Sequence, residues 1–465
     1  MSLINSDMAS HAPLSPEREL AKDGTLGIEW DQLLSSSKQI DCTELVSVKA
    51  ELWAKYRLSF TLCAEEAVCS KKKLCEKMNI EYSVIGEKPP SGYPLYICLH
   101  GGGGTAEWIN DCQWCDMQAY YCGSVSVGVY VAPRGITNTW NLHFVRDSYE
   151  LYDRLIVYMI LCYDVDPNRV YLLGFSAGGD GVYQIVPRMA DRWAAASMSS
   201  GHPNGVRVQN LYHVPFLIQV GELDKAYNRC RVGAEYGVKL SELQQKYPDG
   251  FAHECWIHKD KGHNYKDNDY FQCEYAVLCN PKAWLESGDC MSVKRNTNAI
   301  AWVSQYRRNP LPTHLIWDVS THADRSPMYK GLTAPSKLFY WIDIGGQSSE
   351  ICATCIEACV DRDTNSIHVK NASRCGAWLR ILISSSMVDL QRNVRVSIGD
   401  QEFQVKLYAS LQTLSRTLLE RGDPNFMFES EVILSKTPLG SWEISGTCLQ
   451  LKMCIDELFF SEHKN

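Results

Sequence analysis

The sequence predicts an α/β protein: a mainly parallel sheet with helices on both faces, followed by a smaller all-β, sandwich-like C-terminal domain. Three observations carry this. From Leu95 to His258, short and almost wholly apolar runs alternate with amphipathic helical patterns. A Gly174-Phe175-Ser176-Ala177-Gly178 segment stands between one such run and a helical pattern. After about residue 305, strand-like runs separated by turn residues replace the alternation.

In chain order, residues 1–25 read as a disordered tail. MSLINSDMASHAPLSPEREL lacks the basic start and apolar run of a secretory signal, and Pro13 and Pro16 break any helix. Residues 26–79 read as an N-terminal helical arm, because apolar residues recur at three- and four-residue spacing between about 42 and 78. A strand-like IEYSVIG and a turn, EKPPSGYP, open the unit from 80 to 308. Its strands are LYICLH, VGVYVAP, RVYLLGF, HVPFLIQVG and AHECWIH, and SYELYDRLIVYMILCY and GVKLSELQQKY are helices between them. Strands this apolar belong to a parallel sheet buried on both faces, with right-handed crossovers. A Pro-containing junction, RRNPLPTHLIW, leads into the β-rich domain from 309 to 465. KLFYWIDIG, SIHVKN, WLRILIS, VRVSIG, QEFQVKLY and CLQLKMCI are its strand-like runs, and Phe339, Tyr340 and Trp341 give it aromatics for a core of its own. A chain of 465 residues exceeds the size a single core usually serves.

Composition excludes several classes. The net charge is −8 and no basic stripe occurs, which argues against nucleic acid as a partner. No run of about 18 apolar residues exists, so no membrane-spanning helix is expected. Twenty cysteines without a secretory signal read as reduced thiols in a cytoplasmic protein. Cys352, Cys355 and Cys359 form a C-x-x-C-x-x-x-C run, but no second Cys/His pair follows at zinc-finger spacing. The run is therefore read as core packing, with no metal and no cofactor. The oligomeric state has no signal in the sequence.

The chemistry is concentrated in three motifs. The Gly174–Gly178 segment fits G-x-S-x-G between a strand and a helix, the context of a nucleophile elbow that presents Ser176. His100-Gly101-Gly102-Gly103-Gly104 follows the strand LYICL. Glycines there let backbone N–H groups approach a developing oxyanion. The expected donors are the amide of Ala177 and that of Gly102 or Gly103. The third signal is order. Asp224 lies in a G-x-x-D turn after one buried strand, and His263 in a Gly-His loop after the next. Ser176, Asp224 and His263 thus have nucleophile, acid and base in the order Ser, Asp, His. Glu222 is the alternative acid. His253 and His258 lie within a strand and are read as packing or solvent-facing.

Trp140, His143 and Phe144 follow the strand VGVYVAP on the same sheet edge as the elbow, and Trp108, Asn110 and Trp114 follow the glycine loop. His202, after the strand that succeeds the elbow helix, and Arg229, five residues beyond Asp224, complete the pocket candidates. Arg229 could bind a substrate carboxylate. Only about a dozen residues separate the strand ending near Ser200 from that starting near Val214, so there is no room for a helical lid.

From about 80 to 305 the chain resembles the α/β-hydrolase superfamily. It is most similar to the polyhydroxybutyrate-depolymerase, feruloyl-esterase and dienelactone-hydrolase group, and more distantly to prolyl-oligopeptidase catalytic domains. LHGGGG, YVAPRGITNTWNLHF, DPNRVYLLGFSAGGDGVYQI, VGELDKAYNR and KGHNY carry the resemblance. It implies a serine hydrolase that cleaves a carboxylic ester or thioester through an acyl-enzyme. The β-rich C-terminal third departs from single-domain relatives. Two other readings remain: a serine peptidase with the same triad, and a non-catalytic binding protein on a hydrolase fold.

Overall fold

A computed structural model describes residues 25–66, 73–75, 78–265, 275–288, 290–295, 297–319, 337–345, 355–372 and 378–447. The expected tail, Cys352 and the run CLQLKMCI lie outside the described residues. The arm comprises α1 (Thr25–Leu34), β1 (Gln39–Ile40) and α2 (Leu45–Glu66). The helical pattern is expected to continue to residue 78, but α2 is described to Glu66 and the chain is strand at Lys73–Cys75. Instead β2 (Lys73–Cys75) pairs antiparallel with β3 (Met78–Ile85). The unpaired N–H and C=O groups of a sheet edge recruit this segment whatever its helical periodicity.

The main sheet continues with β4 (Tyr93–Leu99), α3 (Glu107–Tyr120), β5 (Gly128–Pro133), α4 (Arg146–Tyr163), β6 (Val165–Phe175), α5 (Ala177–Ile185), β7 (Ala195–Ser199) and β8 (Phe216–Gly221). It ends with α6 (Arg229–Lys246), β9 (His253–His258), β10 (Tyr275–Leu278), α7 (Pro281–Ser287), β11 (Ser292–Arg295) and α8 (Ala299–Val303). The strand order is β2-β3-β5-β4-β6-β7-β8-β9-β10-β11. The central run from β5 to β9 is parallel, with antiparallel strands at both flanks. Along β4, Leu95, Ile97 and Leu99 enter one apolar cluster, while Tyr96 and Cys98 enter a second on the opposite face. Both faces are covered, which is why these strands read as unbroken apolar runs.

The C-terminal region contains β12 (His314–Asp318), β13 (Leu338–Phe339), β14 (Ile342–Asp343), β15 (Cys355–Asp361), β16 (Ser366–Lys370), β17 (Trp378–Ile383), β18 (Val394–Ile398), β19 (Gln401–Val405), β20 (Ala409–Ser410), α9 (Leu411–Arg421), β21 (Ser430–Lys436) and β22 (Trp442–Thr447). Two five-stranded sheets form, β12-β15-β16-β18-β19 and β13-β14-β17-β21-β22. The region is β-rich but not all-β. α9 has a Ser410 N-cap, whose side chain accepts from the Thr413 amide, and Gly422 at its C-terminus with φ 58°.

The expectation of a separate C-terminal core fails. Trp317, Phe339, Tyr340 and Trp341 belong to the same buried cluster as Trp193, Leu211 and Val214 of the main unit and Trp30 of the arm. The arm docks on the C-terminal region: β1 pairs with β20, and the Lys49 ammonium lies 2.6 Å from Glu429 Oε1. The C-terminal region meets the main sheet at its amino-terminal edge. Arg308 pairs with Asp423 at 2.7 Å, Arg421 with Asp191 just before β7 at 2.6 Å, and Tyr212 just before β8 with His314 at 2.9 Å. Among the described residues, no helix is long and apolar enough to cross a membrane.

Four histidines shielded from water make stability depend on pH, and burial holds His100 among them well below its ordinary value. Burial pushes His143 down to about 4, and His213 and His258 down to about 3. On acidification below 6.5 the unfolded chain takes up protons that these folded imidazoles refuse, so stability falls as pH drops towards 4. Asp180, raised by burial to about 6, and Asp343, also raised by burial, oppose this, but as two carboxyls against four imidazoles. The urea midpoint is therefore expected to be lower at pH 5 than at pH 7. An equal midpoint would show that these imidazoles are not excluded from water.

Candidate active site

Ser176 sits between β6 and α5 with φ 57° and ψ −119°, a strained backbone that turns its side chain out of the sheet. The turn closes only without side chains around it. A Cβ on Gly178 would lie 2.1 Å from the Leu99 carbonyl oxygen, and one on Gly174 would lie 2.3 Å from that of Gly178. Ala177 is the first residue of α5, so its amide is among those a helix leaves without an intrahelical acceptor.

β6, β8 and β9 run parallel, so the loops after them open on one edge. There the structure brings Ser176, His263 and Asp224 together. His263 Nε2 lies 3.0 Å from Ser176 Oγ, and His263 Nδ1 lies 2.7 Å from Asp224 Oδ2. The loop before His263 is drawn tight by Leu223, whose amide donates to the Lys261 carbonyl at 2.7 Å. An elbow after β6, with the acid after β8 and the histidine after β9, on a sheet ordered β3-β5-β4-β6-β7-β8-β9, decides the architecture. The chain has the α/β-hydrolase fold.

No family model matches the chain. A bifunctional acetylxylan esterase/xylanase from Neocallimastix patriciarum is 38% identical over 78 residues, which are 16% of this chain and 11% of that protein. Est1E from Butyrivibrio proteoclasticus is 16% identical, covering 42% of this chain and 88% of its own, with a TM-score of 0.29. LpqC, a poly(3-hydroxybutyrate) depolymerase from Bordetella parapertussis, is 15% identical, covering 49% and 87%, with a TM-score of 0.33. A thermostable esterase is 17% identical, with 50% of this chain and 60% of that chain covered and a TM-score of 0.34.

On this α/β-hydrolase fold, Asp224 is almost fully buried. Glu222 is elsewhere: its carboxylate accepts from the Asp260 amide at 2.9 Å. Arg229, a candidate for a substrate carboxylate, pairs with Asp224. It is buried, its guanidinium lies 3.6 Å from Asp224 Oδ1, and it stacks 4.8 Å from the Tyr227 ring. Its charge thus serves the carboxylate oxygen that His263 does not use.

The glycine loop has a definite arrangement. Gly102, Gly103 and Gly104 have φ of 100°, 79° and 56°. The Gly103 amide donates to Asn110 Oδ1 at 2.8 Å, whereas that of Gly102 has no acceptor among the described residues. Asn110 is fully buried and also donates from Nδ2 to Asn138 Oδ1 at 3.1 Å. His143, read from the sequence as a pocket residue, is fully buried beneath this loop. Its Nε2 lies 2.9 Å from the His100 carbonyl oxygen, so it anchors backbone. His100 is neutral, since burial and the neighbouring His143 hold it well below its ordinary value. The Gly135 amide donates to its Nε2 at 3.0 Å.

Phe144 is core, and Trp114 donates to the Ala132 carbonyl at 2.8 Å. His253 is bonded to Ser241, while His258 is buried and stacked on Tyr265. His202 is half-buried on the loop after β7. Its amide donates to Asp180 Oδ1 at 2.6 Å, and the Asn204 amide donates to its Nδ1 at 3.0 Å. Trp108, Trp140, Leu223 and Tyr227 are exposed. Trp140 and Tyr227 make an edge-to-face pair at 5.9 Å.

Tyr227 and Ser200 were missed in the sequence. Ser200, with φ 50°, donates its hydroxyl to the His263 carbonyl at 3.0 Å. No motif marks it, because its role depends on β7 lying between β6 and β8.

Proposed function

We propose that the protein is a serine hydrolase that cleaves a carboxylic ester or thioester through an acyl-enzyme. The observation that supports this best is the continuous Ser176–His263–Asp224 hydrogen-bonded chain at an elbow. His263 Nε2 takes the Ser176 proton as the hydroxyl attacks the acyl carbon, and the imidazolium formed is stabilised by Asp224. The amides of Ala177 and Gly102 receive the oxyanion, since the Gly103 amide already has an acceptor in Asn110. His263 then protonates the leaving group and activates water to release the acid. A fluorophosphonate probe that labels Ser176 separates this from a binding protein on the same fold. Turnover of p-nitrophenyl esters of graded length beside chromogenic peptides separates an esterase from a peptidase.

Two results follow for individual residues. Asp224→Asn is expected to lower kcat on the order of 10⁴-fold, because the amide no longer holds His263 in the tautomer that leaves Nε2 free to accept the serine proton. Glu222→Gln should change kcat by less than about twofold, as for a surface carboxylate remote from the imidazole. The reverse ranking would move the acid to Glu222. Asn110→Ala frees the Gly103 amide and loosens the glycine loop. A displacement of about 1 Å there is expected to lower kcat on the order of 10²-fold with the fold retained. Unchanged turnover would show that Asn110 does not set the oxyanion site.

A further inference from the structure

Along β15 the side chains alternate. Ile356, Ala358 and Val360 are buried, while Cys355, Glu357 and Cys359 are on the other, partly exposed face. The reading of Cys355 and Cys359 as core packing therefore does not hold. The antiparallel register sets His314 of β12 directly opposite Cys359. One imidazole, one carboxylate and one thiol thus converge on two hydrogen-bonded strands, with donor atoms of His314, Glu357 and Cys359 all within 4.8 Å of one another.

We propose that His314, Glu357 and Cys359 bind a zinc ion on this partly exposed sheet face. A second observation points the same way. His314 Nδ1 is held by the Tyr212 hydroxyl at 2.9 Å, and its Nε2 is turned to Glu357 Oε1 at 3.3 Å. Fixing one imidazole nitrogen with an outer partner so that the other faces the ion is how metal-ligating histidines are oriented. The nitrogen, oxygen and sulfur donors together suit zinc and disfavour magnesium or calcium, which take oxygen. Bonds of about 2.0–2.3 Å require the three donors to close in by roughly 1 Å, with water in the fourth tetrahedral position. Lys370 Nζ lies 3.6 Å from Glu357 Oε1, is largely exposed, and swings into solvent when the ion arrives. Binding takes the Cys359 sulfur as thiolate and releases its proton to solvent, with no change of oxidation state.

The site has a structural role. Tyr212 precedes β8 at the amino edge of the main sheet, whereas Ser176, Asp224 and His263 are at the carboxyl edge. The ion ties β12 to β15 where the C-terminal region meets the catalytic unit, and it takes no part in hydrolysis. This does not rest on the esterase reading.

Cobalt, which substitutes for zinc and reports thiolate ligation by a charge-transfer band, tests the site in the chelator-treated full chain. The wild type should show the band. Cys359→Ser should lose it, and His314→Gln should raise the cobalt dissociation constant at least about tenfold. Zinc should raise Tm for the wild type and leave Tm of either variant unchanged. Circular dichroism checks that each variant is folded. No band in the wild type, or an undiminished band in Cys359→Ser, overturns the site. Ester hydrolysis that changes on zinc removal at a temperature where the chain stays folded overturns its structural role.

Discussion

Ser176→Ala is expected to lower ester turnover by on the order of 10⁴- to 10⁶-fold while leaving the fold intact, as removal of a triad nucleophile does. In the proposed mechanism the Ser176 hydroxyl forms the covalent bond, and alanine has no nucleophile to put in its place. The residual rate should come from the Ala177 and Gly102 amides and from substrate binding, which the substitution leaves in place. The fold should survive because the turn is set by Gly174 and Gly178 and by the Ser176 amide, which donates to the Ser199 carbonyl at 2.9 Å. The measurement is kcat on a p-nitrophenyl ester beside thermal unfolding of both proteins. Wild-type turnover in the variant would end the nucleophile assignment, and fluorophosphonate labelling of another serine would relocate it.

Ending the chain after residue 308 is expected to abolish folding of the catalytic unit, although all three triad residues are retained. Asp191, Arg192 and Arg308 are buried at the junction. Arg421 and Asp423 supply the opposite charges for Asp191 and Arg308, and the Phe426 ring lies 4.3 Å from the Arg421 guanidinium and 4.7 Å from that of Arg308. Burial alone would raise Asp191 and Asp423, yet Arg421 and Arg192 hold the first, and Arg308 and Arg192 the second, below the ordinary value. Breaking a buried pair from one side costs about 3–5 kcal/mol. Two such losses, with Trp193 and Leu211 stripped of apolar cover, match or exceed the roughly 5–15 kcal/mol by which a domain is stable. Asp423→Ala in the full chain gives the graded version: a loss of about 3–5 kcal/mol in urea unfolding. A soluble, cooperatively unfolding fragment ending at 308 would show that the C-terminal region is an accessory module.

The same junction bears on access to the site. The C-terminal region contacts the sheet at its amino edge and the arm docks on that region, so neither was found over Ser176 among the described residues. Between β7 and β8 lies only a short helical turn, Gln209–His213, with Tyr212 and Asn210 committed to the junction. The exposed side chains of Trp108, Trp140, Leu223 and Tyr227 mark the loops around the triad instead.

The fold class and the triad candidates were legible because both depend on local pattern. An apolar run bounded by turns reports a strand buried on two faces wherever it stands. G-x-S-x-G reports an elbow because only glycine tolerates contacts as close as 2.1 Å, which any Cβ there would make. The order Ser, Asp, His follows from strand connectivity, which the chain also spells out in sequence. Other features depend on partners far along the chain. Arg229, five residues past Asp224, reads either as a contact for a substrate carboxylate or as an ordinary ion-pair partner, and only the turn through Tyr227 and Asn228, at φ 54° and 57°, folds it back onto Asp224. His143 reads as a pocket residue because it follows a strand on the right edge, but burial beneath His100 makes it an anchor. The sequence leaves Gly102 and Gly103 open as donors, and only the packing of α3 brings Asn110 Oδ1 to the Gly103 amide. By itself the sequence determined the fold class, the candidate catalytic residues and the edge of the sheet that carries them, since periodicity and glycine sterics act over a few residues. Only the tertiary structure decided that the C-terminal region shares the catalytic unit's core, that Asn110 occupies the Gly103 amide and that His314 meets Cys359. Those contacts join residues tens to hundreds of positions apart, and their register is set by packing.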